Sequence, residues 1–169
     1  RAIILDPRVA AATITGSEAA GKSVAVAAGD ALKPSVLELG GSDPFIVLAD
    51  ADVPAAAKTA AVARTINAGQ SCICAKRFIV EAPVYETFLA QLTEAMKAIR
   101  VGDPFDPATD IGPQARVELR DELHGQVKQA IAQGARPVLG CTVPAGRGAF
   151  YPASVLADVS PDNVAAREE

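Results

Sequence analysis

A loop that contains a cysteine is the segment of this sequence with the clearest chemical potential. Cys72 lies in the run GQSCICAKR, residues 69–77, which follows a predicted helix and carries Lys76 and Arg77 close to the thiol. Basic neighbours and a loop position favour a reactive thiolate, whereas a lone buried cysteine is usually a small apolar side chain. This setting therefore favours Cys72 as a nucleophile.

A glutamate at the end of an apolar run is the second candidate. Glu38 stands between two leucines in LELGG, residues 37–41. Active sites lie at the carboxyl ends of parallel strands, and partial burial there would make a carboxylate a usable general base. The alternative is a glutamate on the open face of an edge strand, and the residue taken alone favours that alternative.

A glycine turn between a predicted strand and a predicted helix is the third candidate. The turn is GSEAAG, residues 16–21, with Ser17 placed to cap the helix. Free N–H groups and the positive end of the helix dipole make such a turn a possible anion site. The sequence fits neither G-x-G-x-x-G nor a P-loop, so a plain strand–turn–helix joint is an equally good interpretation.

The composition excludes several classes of function. The 169 residues are 50% hydrophobic and 21% charged, as in a globular protein, and the net charge is −4. Without a basic stripe, nucleic acid is not an expected partner. No apolar run approaches the roughly 20 residues of a membrane helix, so no membrane partner is expected either.

The cysteine and histidine counts argue against a metal site. Three cysteines and one histidine make a poor ligand set for a four-coordinate zinc, so we predict no metal. An odd number of cysteines also argues against a disulfide framework and favours a reducing, cytoplasmic location. His124 lies among polar residues of a predicted helix, which favours a solvated histidine over a Cys–His dyad.

The three candidate features, in this order, resemble the aldehyde dehydrogenase family. The resemblance covers essentially the whole chain, and a glutamate motif and a cysteine motif at this separation are specific. The run 69–80 is most similar to the succinate-semialdehyde branch. The matching motifs are ITGS at 14–17 with Gly21, LELGGSDP at 37–44, DAD at 50–52, NxGQxC at 67–72, Arg77 before a strand, GDP at 102–104, IGP at 111–113, YP at 151–152, and the final Glu168 and Glu169.

The resemblance implies oxidation of a small aldehyde to a carboxylic acid with NAD or NADP, and the succinate-semialdehyde branch implies succinate semialdehyde as that aldehyde. Cys72 matches the nucleophile that forms a thiohemiacetal and then a thioester, and Glu38 matches the base that activates the hydrolytic water. The oxyanion would accept hydrogen bonds from the Cys72 N–H and from an asparagine upstream of this chain. The residues that match the cofactor site are Gly16, Ser17, Gly21, Leu39 and Glu169. The alternative is a non-catalytic homologue that acts as a binding or assembly module.

Predicted strands alternate with predicted helices along the chain. This alternation indicates an α/β fold with a mostly parallel sheet flanked by helices, which must position these residues. The strands are predicted at 9–15, 35–39, 45–48, 77–81, 137–139 and 151–156, and the helices at 18–32, 55–66, 84–99 and 116–133. The resemblance assigns residues 1–40 to the end of a Rossmann-like dinucleotide-binding domain. It assigns residues 41–169 to a catalytic domain of the aldehyde dehydrogenase type, truncated at its end.

The resemblance also implies that the chain is an excerpt of a larger enzyme. The family's first Rossmann strands would precede Arg1, so the chain by itself is expected not to turn over aldehyde. The full-length parent is expected to be a homodimer or a homotetramer.

A second cysteine, Cys74, is a possible redox partner of Cys72. Two cysteines at positions i and i+2 of a bent loop can reach bonding distance, so oxidation could form a Cys72–Cys74 disulfide that switches the site off. The preferred alternative is that Cys74 is a small buried side chain. Cys141 is interpreted as incidental.

Overall fold

The computed structural model describes residues 1–168, so Glu169 and its predicted cofactor role lie outside the described residues. The described residues form two compact units. The first unit is Arg1–Gly41, and the second begins at Ser42. Within the described range, no helix has both the length and the apolar character needed to cross a bilayer.

The first unit contains a parallel pair of strands connected by a helix. Ser17 caps this helix, because its side-chain oxygen accepts a hydrogen bond from the Ala20 N–H at 3.3 Å. Its two strands pair in register, with Thr15 opposite Glu38. The predicted strand at 9–15 begins only at Ala12, and the predicted helix at 18–32 ends at Asp30. The elements are α1 (Ala2–Leu5), β1 (Ala12–Thr15), α2 (Glu18–Asp30) and β2 (Ser35–Glu38).

Two glycines of α2 lie in opposite surroundings. A Cβ added to Gly21 would lie 2.5 Å from Leu39 Cδ2 and 3.0 Å from Leu39 Cδ1, whereas a Cβ added to Gly29 would meet nothing within 4 Å. Gly21 therefore lets the helix approach Leu39, the residue next to Glu38. Gly29 carries only the entropic cost of glycine in a helix.

These two positions give a matched prediction for stability. Gly29→Ala should raise the free energy of unfolding by up to about 1 kcal/mol, because alanine has the higher helix propensity. Gly21→Ala should instead lower it, since overpacking against Leu39 costs about 1–3 kcal/mol and exceeds the propensity gain. Urea unfolding of both variants measures the difference. A stabilised Gly21→Ala variant would contradict the close packing, and adding Leu39→Ala should remove its penalty.

The second unit contains two more strand pairs and the longer helices. Its β3–β4 pair is parallel and its β5–β6 pair is antiparallel, so two of the three pairs in residues 1–168 are parallel. The mostly parallel arrangement is therefore confirmed, in separate two-stranded sheets. The elements are β3 (Pro44–Val47), α3 (Val53–Thr65), β4 (Arg77–Val80), α4 (Tyr85–Lys97), α5 (Val117–Ala132), β5 (Arg136–Leu139), β6 (Val155–Ala157) and α6 (Val164–Arg167).

The core of the second unit lies between α3, α4 and the β3–β4 pair. Helix α4 buries Phe88, Leu92 and Met96, which recur every four residues on one face. Helix α3 contributes small side chains such as Ala57 and Ala60, so the two helices can pack closely. The core of the second unit therefore combines small side chains of α3 with larger apolar side chains of α4.

The β3–β4 pair has one core face and one open face. Phe45 and Phe78 are paired across the strands on the core side, with ring centroids 5.6 Å apart. The next pair, Ile46 and Ile79, points the other way, because side chains alternate along a strand. These two isoleucines are 62% and 53% exposed.

The last predicted strand is shorter than its sequence pattern indicates. Residues 151–154 are not extended into the sheet, and β6 begins at Val155. Pro152 has no N–H to donate to a ladder, and the Ser154 hydroxyl donates to the Pro152 carbonyl at 2.8 Å. Local hydrogen bonding therefore replaces strand pairing here, and the predicted strand at 151–156 is wrong over its first four residues.

Candidate active site

The loop that carries Cys72 begins at an unusual turn after α3. The helix ends at Thr65, and a 3₁₀ turn follows at Ile66–Gly69. Three successive residues of this turn have positive φ: Asn67 at 51°, Ala68 at 55° and Gly69 at 79°. Left-handed backbone costs about 1–2 kcal/mol at a residue with a Cβ, so Ala68 in particular must be held by its surroundings.

Arg64 fills the space above Gly69. A Cβ added to Gly69 would lie 2.9 Å from the Arg64 Nη2 atom and 3.3 Å from the Arg64 carbonyl oxygen, so only glycine fits. Arg64 Nη1 is buried, with no hydrogen-bond partner among residues 1–168. Burial lowers the pKa of the Arg64 guanidinium, and the nearby Cys74 opposes this shift. Arg64 was not a candidate residue, because nothing in the sequence around it indicates burial.

The thiol of Cys72 is free and the residue is exposed. Within residues 1–168 its N–H donates no hydrogen bond, and its carbonyl oxygen accepts one from Lys76 Nζ at 3.4 Å. Arg77 serves another purpose: its Nε and Nη2 donate to the Ser42 carbonyl oxygen at 2.9 and 2.5 Å. Of the two basic residues expected near the thiol, Lys76 contacts the loop, whereas Arg77 connects β4 to residue 42.

Cys74 is completely buried, in contrast to its neighbour Cys72. Its Sγ donates to the Ile66 carbonyl oxygen at 3.3 Å, which connects the end of the loop back to its beginning. Both cysteines are free thiols in this structure. A Cys72–Cys74 disulfide therefore stays a prediction, and forming it would require Cys74 to give up the bond to Ile66.

Two glutamines connect the cysteine loop to a distant segment. Gln70 Oε1 accepts from the Ala115 N–H at 2.9 Å, and Gln70 Nε2 donates to the Asn67 carbonyl oxygen at 3.1 Å. Gln114 Nε2 donates to the Ala68 carbonyl oxygen at 3.0 Å. The turn before Cys72 is thus held from residues that lie about 45 positions later in the chain.

Glu38, the predicted base, is the last residue of β2 and is exposed. Its carbonyl oxygen accepts from the Gly16 N–H at 2.9 Å, so its backbone is fixed next to the glycine turn. The partial burial considered for its side chain is absent. Glu38 and Cys72 belong to different units, so the joint catalytic role that the resemblance implies for them stays a prediction.

The glycine turn has the geometry expected of an anion site. Gly16 follows β1, which ends at Thr15, and Ser17 caps the 13-residue helix α2. Ser17 satisfies the Ala20 N–H, and the first-turn amides before it have no partner within the helix. These amides and the positive helix end suit the negative charge of a dinucleotide pyrophosphate. The first turn of α2 is compatible with such a cofactor, and the cofactor role of Gly16 and Ser17 stays a prediction.

His124 is paired with a tyrosine. Its Nδ1 lies 3.0 Å from the Tyr151 hydroxyl, and the two rings are 5.8 Å apart. Burial raises the pKa of Tyr151 to about 12, so its hydroxyl stays protonated at neutral pH. The prediction of a solvated histidine is wrong, because His124 is half-buried and pairs with the Tyr151 hydroxyl. No group of three or more potential metal ligands occurs in the described part of the chain.

Comparison with known proteins decides the family. The model of the aldehyde dehydrogenase family matches residues 1–169, the entire chain. The chain belongs to the aldehyde dehydrogenase family. The resemblance stated from the motifs is confirmed, and so is the α/β fold of the aldehyde dehydrogenase type.

Individual aldehyde dehydrogenases are similar along nearly the full length of the chain. It is 56% identical over 167 residues to a succinate-semialdehyde dehydrogenase (NADP⁺) of Mycobacterium avium, covering 99% of the chain and 35% of that protein. It is 52% identical over 167 residues to a succinate semialdehyde dehydrogenase (NAD(P)⁺) of Escherichia coli, covering 99% and 36%. The chain thus spans about a third of the length of these relatives.

A solved aldehyde dehydrogenase shares the backbone arrangement. The crystal structure of succinic semialdehyde dehydrogenase from Streptococcus pyogenes in complex with NADP⁺ matches with a TM-score of 0.94 and 38% identity. The match covers 99% of this chain and 37% of that one. The fold is therefore that of an aldehyde dehydrogenase, whereas the roles of Cys72, Glu38 and the predicted cofactor residues stay predictions.

Proposed function

We propose that this chain is part of a longer enzyme that oxidises succinate semialdehyde to the corresponding dicarboxylic acid with NAD or NADP. The observation that carries the proposal is Cys72: an exposed thiol with an unengaged N–H, three residues after a turn that distant side chains hold. The names of the similar bacterial enzymes supply the substrate.

In this proposal Cys72 carries the covalent chemistry. Its thiolate sulfur attacks the aldehyde carbon, and the oxygen becomes an oxyanion that can accept a hydrogen bond from the Cys72 N–H. A nicotinamide cofactor held near Gly16 and Ser17 would supply the hydride acceptor for this carbon, so that the Cys72 sulfur would be left carrying a thioester. The bond between Lys76 and the Cys72 carbonyl fixes one side of the peptide that carries the nucleophile.

Glu38 completes the cycle in this proposal. Its carboxylate takes a proton from water, and the resulting hydroxide attacks the thioester carbon. The carbon–sulfur bond then breaks, which releases the carboxylic acid and regenerates the Cys72 thiolate. A separate base suits a hydrolytic enzyme, because a relative that passes the acyl group to another thiol has less need to activate water.

The remaining assignments follow from the same proposal. Residues 1–40 form the end of the dinucleotide-binding domain, and residues 41–169 form the catalytic domain. Gly16, Ser17, Gly21, Leu39 and Glu169 serve the cofactor site. The full-length enzyme is a cytoplasmic homodimer or homotetramer.

The test uses the longer polypeptide of which we propose this chain is part. Formation of reduced cofactor is measured with succinate semialdehyde and with butanal, an aldehyde of the same carbon number without the carboxylate. We expect kcat/KM to be at least tenfold higher for succinate semialdehyde, with either NAD⁺ or NADP⁺. Equal values for both aldehydes would reject the substrate assignment. If neither aldehyde is oxidised and Cys72 reacts with iodoacetamide no faster than free cysteine, the chain is a non-catalytic homologue.

A further inference from the structure

We infer that Gln114 is a positioning residue for Cys72, an inference that rests on the proposed function of that thiol. Gln114 follows the IGP motif, 42 positions after the cysteine, and it was not among the candidate residues. Its side chain reaches the turn that sets the direction of the cysteine loop. The bond from Gln114 Nε2 to the Ala68 carbonyl oxygen is 3.0 Å long.

The bonded carbonyl belongs to the residue that most needs support. Ala68 has a φ of 55°, a conformation that residues with a Cβ adopt rarely. Asn67 tolerates this region better because its short polar side chain can bond locally, and Gly69 has no Cβ. Fixing the Ala68 carbonyl fixes the peptide plane between Ala68 and Gly69, and the next residues lead to Cys72.

Gln70 adds a second hydrogen bond between the turn and the segment that carries Gln114. Its Oε1 accepts from the Ala115 N–H at 2.9 Å, while Gln114 donates in the opposite direction to Ala68. Two bonds of opposite polarity between residues 68–70 and 114–115 resist both translation and rotation of the turn. A single hydrogen bond would leave the turn free to pivot.

Gln114 is itself held on the far side. Its N–H donates to the Ala149 carbonyl oxygen at 2.9 Å. The segment before it is closed by a bridge between Val101 and Ile111, and the Gly102 N–H donates to the Ile111 carbonyl oxygen at 3.1 Å. These contacts fix the loop formed by residues 102–112, and Gln114 lies two residues after this loop.

Loss of the Gln114 donor should move Cys72 more than Cys74. Cys74 keeps its own bond to the Ile66 carbonyl oxygen and its complete burial. Cys72 is exposed, and two of the contacts that hold the turn before it come through residues 114–115. The expected consequence is an altered reactivity of Cys72 with the fold intact.

The test compares Gln114→Met with Gln129→Met in the longer polypeptide. Methionine keeps the length of glutamine and removes the donor, and Gln129 is an exposed residue of α5 that serves as the control. Iodoacetamide labelling of Cys72 is followed by mass spectrometry from pH 6 to 10, together with kcat, KM and thermal unfolding. For Gln114→Met we expect at least a fivefold change in the plateau labelling rate and at least a tenfold fall in kcat, with the KM for the cofactor unchanged. Gln129→Met should match the wild type.

A second substitution separates positioning from general stability. Ala68→Gly relieves the backbone strain at the supported residue, so the double variant Ala68→Gly/Gln114→Met should recover part of the lost labelling rate and kcat. If Gln114→Met does not fold, Gln114→Asn, whose amide is one methylene short, is measured in the same way. A folded variant with wild-type labelling and kcat overturns the inference. Labelling requires no aldehyde oxidation, so an effect on labelling without any turnover would support the role of Gln114 while rejecting the proposed function.

Discussion

Cys72→Ala is expected to lower aldehyde oxidation by the longer polypeptide by about 10⁴-fold or more. Cys72 supplies the sulfur to which the substrate carbon is bonded in both covalent intermediates of the proposal, and no other exposed thiol occurs among the described residues. Alanine removes the nucleophile and leaves the exposed loop otherwise unchanged. Steady-state formation of reduced cofactor with succinate semialdehyde is the measurement.

Cys74→Ala is the matched control, two residues away. It removes a buried thiol that donates a hydrogen bond to the Ile66 carbonyl oxygen, so it should cost about 1 kcal/mol in unfolding free energy and retain most of the activity. A large loss in Cys74→Ala with little loss in Cys72→Ala would reverse the assignment of the nucleophile. Equal losses in both would indicate that the loop conformation, rather than one sulfur, limits the reaction.

Glu38→Gln is expected to separate the two halves of the reaction. Glutamine keeps the size and cannot take a proton from water, so hydrolysis of the thioester should slow by about 10²–10⁴-fold. Attack by Cys72 and the first reduction of cofactor do not require Glu38. Rapid mixing should therefore show a burst of about one reduced cofactor per active site, followed by slow turnover.

An acidic residue elsewhere in the same unit provides the control for this variant. Asp30 is exposed at the far end of α2, where it forms an ion pair with Arg1 at 2.8 Å. Asp30→Asn should leave both the burst and the steady state near wild type, because exposed ion pairs contribute little. If Glu38→Gln instead lowers the burst rate and the steady-state rate equally, Glu38 acts before the thioester and not as its hydrolytic base.

The helix boundaries that depend on local chemistry were predictable from the sequence. Ser17 was predicted to cap α2, and Asp52 caps α3 by accepting from the Ala55 N–H at 3.1 Å. A cap involves residues three positions apart, so a sequence pattern contains all of its parts. The family was also predictable, because the order and spacing of its motifs survive in the sequence.

The support of the site was not predictable in the same way. Gln114 and Ala68 are 46 positions apart, and no local pattern marks either of them. The pairing of His124 with Tyr151 is likewise a contact across 27 positions, so the sequence favoured a solvated histidine. Hydrogen bonds between residues so far apart in the sequence depend on the tertiary structure, and local sequence patterns do not determine it.

Backbone conformation was the other source of error. The run of three left-handed residues before Cys72 includes Ala68, a residue with no preference for positive φ. The sequence pattern predicts only that the helix ends at residue 66. Tertiary contacts impose the conformation there, so the turn could be located but not described.

The open face of the β3–β4 pair has a practical consequence for handling the chain. Ile46 and Ile79 lie side by side on it, next to strand edges in a sheet of only two strands. Apolar side chains beside unpaired backbone donors and acceptors are the pattern through which polypeptides aggregate. Low protein concentrations and brief storage are therefore advisable whenever the 169-residue segment is prepared in isolation.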